Sequence, residues 1–194
     1  MPLPDLITTA RDHLDRLPPE ELGTVLVHDF AKAVQLSQLP DNVGGAVEAD
    51  QIVAYFQPQL SCHTGAVTGF EALARWDHPT RGMLSPAAFM DRMTESDHRS
   101  LTMSMLRQSL RAMKTWDAAG WNVPTVSVNI SQFELSDEGF ATSLLWELDS
   151  HEIAPQRLVL EMQETIGPIG QDSHARSNLI QLVAAGCQLD LDDF

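Results

Sequence analysis

The chain has 194 residues, of which 27 are acidic and 12 are basic, so its formal net charge is −15 at pH 7. This length fits one domain with an appendage rather than two full-size domains, and a hydrophobic content of 43% argues against a disordered acidic chain. The negative charge disfavours binding to a DNA or RNA polymer or to a membrane surface, because both require Lys and Arg to displace counterions.

Residues 1–50 predict two helices and a linker. The first helix covers residues 5–17, and the second follows Pro18-Pro19 and places one apolar face at helical spacing, including Leu26 and Phe30. That face needs a partner, either the rest of the chain or a second copy. Residues 40–50 are interpreted as a hinge, and a soft domain boundary is placed at residue 50.

The N-terminus predicts a cytoplasmic protein, since it lacks the basic start and the apolar segment of a signal peptide. Cys62 and Cys187 are too few and too isolated to indicate a disulfide framework or a zinc site.

After residue 50 the pattern changes to strands and helices. Residues 52–61 and 66–76 predict two strands of a hairpin, joined by a tight turn at Thr64-Gly65. A short helix is expected at 85–96, with Ser85 as its N-cap and Pro86 at its first position. A longer amphipathic helix is expected from about 100 to 119, ended by Gly120.

Short apolar strands are then predicted at 125–131, 158–164 and 187–194, with helices near 136–151 and 172–185 between them. This βαβαβ order predicts an α/β fold with parallel strands, either a doubly wound sheet or a (β/α)8 barrel.

Polar side chains interrupt these strands near their carboxyl ends. Asn129, Glu161 and the pair Asp192 and Asp193 recur about one βα unit apart, and Glu71 ends another strand. Because the carboxyl ends of parallel strands meet at one edge, these oxygen donors are expected to converge and to suit Mg²⁺ or Mn²⁺. Each acid taken singly is better explained as a strand-end or helix-cap residue, but the repeated spacing of the set favours a site.

Several blocks of the sequence together resemble the opening of the EAL domain of bacterial cyclic di-GMP phosphodiesterases, over residues 51–194. The blocks agree in order and spacing, which makes the match far more specific than Glu-Ala-Leu alone. They are residues 55–59 (YFQPQ), 64–65 (TG), 69–76 (GFEALARW), 78–79 (HP), 81–82 (RG), 127–131 (SVNIS), 160–161 (LE), 164–165 (ET) and 191–194 (LDDF).

The resemblance implies a variant TIM barrel that hydrolyses cyclic di-GMP to linear pGpG with Mg²⁺ or Mn²⁺ in bacterial signal transduction. It assigns the first metal to Glu71, Asn129, Glu161 and Asp192, and the second metal to Asp193. Gln57, Leu73 and Arg75 match positions that contact the substrate, Arg75 through a phosphate. The alternative for Arg75 is a surface ion pair with Asp77 or another strand-end acid, and Glu164 fits a loop or helix cap better than a metal ligand.

The same resemblance indicates what the chain lacks. About five of the eight barrel strands precede Phe194, and the family's later lysine, glutamate and glutamine have no counterpart, so an incomplete (β/α)8 EAL fold with weak or no hydrolysis is expected. Gly44-Gly45 is followed by Ala46, so the cyclase motif Gly-Gly-Asp-Glu-Phe is not found.

Two alternatives to catalysis stay open. One is a module that binds cyclic di-GMP without cleaving it. The other is an interaction protein that forms a homodimer or docks on a partner through the N-terminal helix or an open sheet edge, and loses assembly when Leu26 and Phe30 become polar.

Overall fold

A computed structural model describes residues 43–79, 81–163 and 172–192 of the chain. The helices expected within residues 5–39 lie outside these ranges, as do Glu164 and Asp193, and Asp192 is placed by its backbone alone. Residues from Asn42 to Phe194 belong to one unit, and its described residues carry the architecture given below.

The predicted hairpin is confirmed. Strands β1 (Ile52–Leu60) and β2 (Val67–His78) pair antiparallel, so that Gln57 lies opposite Glu71. Gly65 in the turn has φ of +69°, a backbone conformation that glycine adopts without steric cost. A three-residue strand, β3 (Gly82–Leu84), pairs with β2 and was not predicted, because three residues are too short to show a period of two.

The predicted βαβαβ order is also confirmed. Strands β4 (Thr125–Ile130), β5 (Leu158–Gln163) and β6 (Gln188–Asp192) add in parallel to β2, giving the spatial order β1-β2-β4-β5-β6. Strand order among these described strands never reverses, whereas a doubly wound sheet reverses at its switch point. The winding is therefore that of a barrel.

A short helix, α1 (Val43–Glu48), shows that the interpretation of residues 40–50 as a hinge is wrong for residues 43–48. Val43 and Ala46 are buried, and the Gly44 amide donates a hydrogen bond of 2.8 Å to Asp97 Oδ1. Tertiary packing holds this segment as a helix despite two glycines, which intrinsically disfavour one. The domain division at residue 50 stays a prediction.

The long helix, α2 (Glu95–Ala118), begins about five residues before the predicted start. Thr94 caps it, with Asp97 completing a reciprocal capping box, and Gly120 follows its end with φ of +80° as expected. The helix predicted at 85–96 is instead two 3-10 turns, Pro86–Ala88 and Met90–Arg92, and the Ser85 side chain makes no capping hydrogen bond.

The remaining helices are α3 (Gln132–Leu135), α4 (Phe140–Ser150) and α5 (Ser173–Ala185). The last two correspond to the predicted helices near 136–151 and 172–185. Helix α3 was not predicted, because a single turn leaves no periodicity to read. None of the helices in the described ranges is long and apolar enough to cross a membrane.

The two faces of the sheet differ in chemistry, because successive side chains alternate across a strand. One face packs against α2, where Trp116 contacts the rings of Phe56 and Phe70 at centroid distances of 5.0 and 5.2 Å. Its central strands contribute the buried apolar side chains Val126, Val128, Ile130, Leu158, Leu160 and Met162. The opposite face carries polar residues and forms the candidate site.

Candidate functional site

Strand register places most of the predicted site residues on this polar face. Glu71 lies opposite Ser127, and Asn129, two residues further along β4, lies opposite Glu161. Glu161 in turn lies opposite Asp190, and the backbone of Asp192 follows two residues later. A period of two therefore puts Glu71, Asn129 and Glu161 on the same face as the Asp192 position.

Glu71 and Asn129 are in direct contact. Asn129 Nδ2 donates a hydrogen bond of 3.1 Å to Glu71 Oε1, with Glu71 half-buried and Asn129 exposed. The two oxygen donors predicted from strands β2 and β4 are thus brought together as expected.

Glu161 is 7% exposed and is contacted by Gln59, a residue for which the sequence predicted no role. Gln59 Nε2 donates a hydrogen bond of 3.1 Å to Glu161 Oε1 and one of 3.3 Å to Ser127 Oγ. The available signal was position, since Gln59 lies two residues after Gln57 and therefore on the same face. A neutral amide in a strand carries no sign by itself of which carboxylate it will meet.

The contact between Gln59 and Glu161 also indicates that the sheet is curved. Three strand steps separate β1 from β5, a distance of about 14 Å in a flat sheet, and side chains stand roughly perpendicular to the sheet. Side chains can touch over such a span when the sheet curls toward their face. The polar face is therefore the concave, barrel-interior face.

The predicted substrate residues lie on the same face of the hairpin. Gln57 is exposed, and Leu73 and Arg75 are half-buried. Arg75 Nη1 donates a hydrogen bond of 2.7 Å to the Ala74 carbonyl oxygen, and the Arg75 guanidinium lies 5.8 Å from the centre of the Tyr55 ring. Among the described residues Arg75 forms no ion pair, so the alternative of a pair with Asp77 finds no support.

A cleft of about 510 Å³ opens between the sheet and helix α2, and Ala72, Val128 and Ile130 of the α2-facing side line it. Glu71, Leu73 and Asn129 border it on the sheet side, and Met105 and Phe133 contribute an apolar wall from the helices. Clefts of several hundred cubic ångströms with a few convergent polar groups suit small organic ligands.

The donor set fits a hard divalent cation, since Glu71, Asn129 and Glu161 offer carboxylate and amide oxygens. In the described ranges no three His, Cys, Asp or Glu side chains lie close enough together to hold a metal ion. The Asp192 side chain and Asp193 lie outside those ranges, and the amide of Asn129 is a ligand of a different type.

The family model described as the EAL domain matches residues 41–194. The chain belongs to the EAL domain family. The resemblance indicated by the sequence blocks is thereby confirmed.

Among curated proteins, the chain is similar to the bifunctional diguanylate cyclase/cyclic di-GMP phosphodiesterase MucR of Pseudomonas aeruginosa, with 30% identity over 169 residues. The match covers 84% of this chain but 24% of MucR. The chain thus spans about a quarter of the length of this relative.

Solved structures agree on the fold. The PaMucR phosphodiesterase in its c-di-GMP complex is 30% identical, with a TM-score of 0.66 over 77% of this chain and 60% of that one. The Bacillus subtilis YkuI protein, solved with c-di-GMP and calcium, is 21% identical, with a TM-score of 0.65 over 81% of this chain and 39% of that one. At its lower identity the YkuI likeness shows the fold alone. The predicted partial, TIM-barrel-like EAL fold is confirmed.

Proposed function

We propose that the native gene product containing these residues is a metal-dependent phosphodiesterase of cyclic di-GMP, while hydrolysis by residues 1–194 alone stays predicted to be weak or absent. The observation that carries the proposal is the placement of Glu71, Asn129 and Glu161 on one concave sheet face, where Glu71 and Asn129 also border the cleft. Membership of the EAL family and the similarity to a phosphodiesterase at 30% identity support the same substrate class.

In this proposal the polar face holds Mg²⁺ or Mn²⁺. Glu71, Asn129, Glu161 and Asp192 would bind the first cation, and Asp193 would bind the second. Such cations, when bound, withdraw charge from a phosphodiester and favour attack by water. The chain's own contribution is to hold the oxygen donors in register, which the hydrogen bond from Asn129 to Glu71 illustrates.

Three residues of the hairpin would receive the nucleotide. Arg75 offers a planar guanidinium that can bind two phosphate oxygens at once, and it has no carboxylate partner among the described residues. Gln57 offers an exposed amide opposite Glu71, and Leu73 lines the cleft. This arrangement separates a charged contact for phosphate from an apolar contact for a base.

The decisive experiment measures conversion of cyclic di-GMP to linear pGpG with Mn²⁺, using protein expressed from the native reading frame. We expect metal-dependent conversion that falls at least 100-fold in Glu71→Gln, because a ligand carboxylate is lost. Glu138→Gln is the matched control, since Glu138 is exposed and does not line the cleft. Activity that is insensitive to Glu71→Gln would contradict the assignment.

A second candidate function is binding without cleavage. It is favoured by Arg75, which has no carboxylate partner among the described residues and would bind a phosphate without a metal ion. Calorimetric binding of cyclic di-GMP without conversion would support it. If cyclic di-GMP gives no binding heat and is not converted, both functions are excluded.

We also propose that the protein resides in the cytoplasm. Both cysteines are free, Cys62 exposed and Cys187 buried, as expected in a reducing compartment.

A further inference from the structure

We propose that Gln59 is a positioning residue that orients the Glu161 carboxylate toward a divalent cation. This inference rests on the proposed function, because it requires that Glu161 be a metal ligand. Gln59 Nε2 donates two hydrogen bonds, one of 3.1 Å to Glu161 Oε1 and one of 3.3 Å to Ser127 Oγ.

The Gln59 side chain passes a glycine in the neighbouring strand. Gln59 on β1 lies opposite Gly69 on β2, and its amide passes over that strand to reach β4 and β5. A Cβ at Gly69 would lie 3.2 Å from Gln59 Oε1 and only 2.4 Å from Thr125 Oγ1. A side chain at position 69 would therefore crowd Thr125 first and the end of the Gln59 side chain second.

The chemistry of an amide suits the task of orienting a ligand. Glu161 is 7% exposed, and a buried carboxylate needs hydrogen-bond donors to replace lost water. A lysine or arginine would supply them but would also neutralise the charge that attracts a cation. Gln59 donates without carrying charge, so it fixes the carboxylate while leaving its negative charge for the metal.

Ser127 provides the second point that fixes the amide. It is fully buried on β4, opposite Glu71, and accepts the other Nε2 hydrogen. Two acceptors on adjacent strands define the direction of the Gln59 amide more tightly than one. These hydrogen bonds from Gln59 to Ser127 and Glu161 thus link strands β1, β4 and β5.

The test compares Mn²⁺ affinity by calorimetry in the wild-type protein, Gln59→Met and Gln181→Met. Methionine keeps the length of glutamine but cannot donate. We expect Gln59→Met to bind Mn²⁺ about 10-fold more weakly, as removal of a hydrogen-bond partner of a metal ligand commonly does. Gln181 is an exposed amide on α5 that bonds Ser177, so Gln181→Met should leave the affinity unchanged.

If Gln59 has a purely structural role, Gln59→Met should lower the unfolding temperature in EDTA without changing the Mn²⁺ affinity. The affinity is therefore measured well below the unfolding temperature, and the unfolding temperature is measured separately. Equal Mn²⁺ affinity in wild type and Gln59→Met overturns the positioning role and leaves the proposed function intact. Absence of Mn²⁺ binding in the wild type overturns both. If Gln59→Met does not fold, Gln59→Asn replaces it, because its shorter side chain withdraws the amide from Glu161 and should weaken binding likewise.

Discussion

At the scale of single residues, Arg157 shows how one side chain joins distant parts of the chain. Its guanidinium donates to both carboxylate oxygens of Asp117 at 2.6 and 2.9 Å, and to the Val123 carbonyl at 2.9 Å. These contacts tie the end of α2 and the segment before β4 to the start of β5. The hydrogen bond from Arg157 lowers the pKa of Asp117 below its ordinary value.

We therefore predict a pH-dependent effect of Asp117→Asn. A lowered pKa in the folded state means that the ion pair stabilises the protein above the ordinary carboxyl pKa and that this contribution disappears as pH falls through the folded-state pKa. The variant should lose less than about 1 kcal/mol at pH 7, because the pair is partly exposed, and should approach the wild type in acid. Urea unfolding at pH 7 and pH 3 measures this, with Asp149→Asn as the exposed control.

At the scale of elements, the start of α2 is fixed by a capping box that also holds α1. Thr94 Oγ1 accepts a hydrogen bond from the Asp97 amide, and Asp97 accepts from the amides of Thr94 and Gly44. Burial opposes ionisation of Asp97, but these hydrogen bonds outweigh it and lower its pKa. One carboxylate therefore satisfies donors of two helices.

This geometry predicts that substitutions of Thr94 and Asp97 lower the free energy of unfolding by different amounts. Thr94→Ala should destabilise the protein by about 1 kcal/mol, the usual cost of a lost N-cap. Asp97→Ala should cost more, because it also leaves the Gly44 amide without its acceptor. Urea unfolding compares them, with Ser100→Ala on the exposed side of α2 as the control. Equal losses would show that the contact between α1 and α2 contributes nothing.

At the scale of the whole molecule, charge and curvature act together. The net charge is −15, and the curled sheet gathers Glu71, Glu161 and Asp190 onto its concave face. Like charges that face one another destabilise the folded state unless a cation or hydrogen bonds compensate them.

We predict that Mn²⁺ raises the unfolding temperature more than NaCl of equal ionic strength. A ligand that binds only the folded state adds about 2.7 kcal/mol at 100 times its dissociation constant, whereas NaCl only screens. Glu161→Gln should remove most of the Mn²⁺-specific gain, and Glu138→Gln should retain it. Thermal denaturation with and without EDTA measures the difference. An equal gain from both salts would show that Mn²⁺ acts by screening alone.

Much of the fold follows from the sequence, because it depends on local signals. Short apolar runs bounded by turn residues predicted β1, β2, β4, β5 and β6, and the glycine after α2 marked the end of that helix. The spacing of about one βα unit predicted that Asn129 and Glu161 lie at the same end of neighbouring strands, where Glu71 joins them. The site roles of these residues stay predictions, as do those of Asp192 and Asp193.

Features that depend on non-local packing were missed. Helix α1 forms within a glycine-containing segment because Val43 and Ala46 are buried and Gly44 bonds Asp97, 53 residues away. The early start of α2 was hidden because residues 85–96 were interpreted as a separate helix, although Thr94 and Asp97 are themselves a local capping signal.

The sequence by itself determined the order of strands and helices, the alternation of side chains between the two faces of each strand, and the family to which the chain belongs. Only the tertiary structure decided that Gln59 crosses Gly69 to hold Glu161, 102 residues away. The physical reason is that periodicity specifies which face a side chain occupies. The curvature of the assembled sheet specifies which side chains on that face can touch.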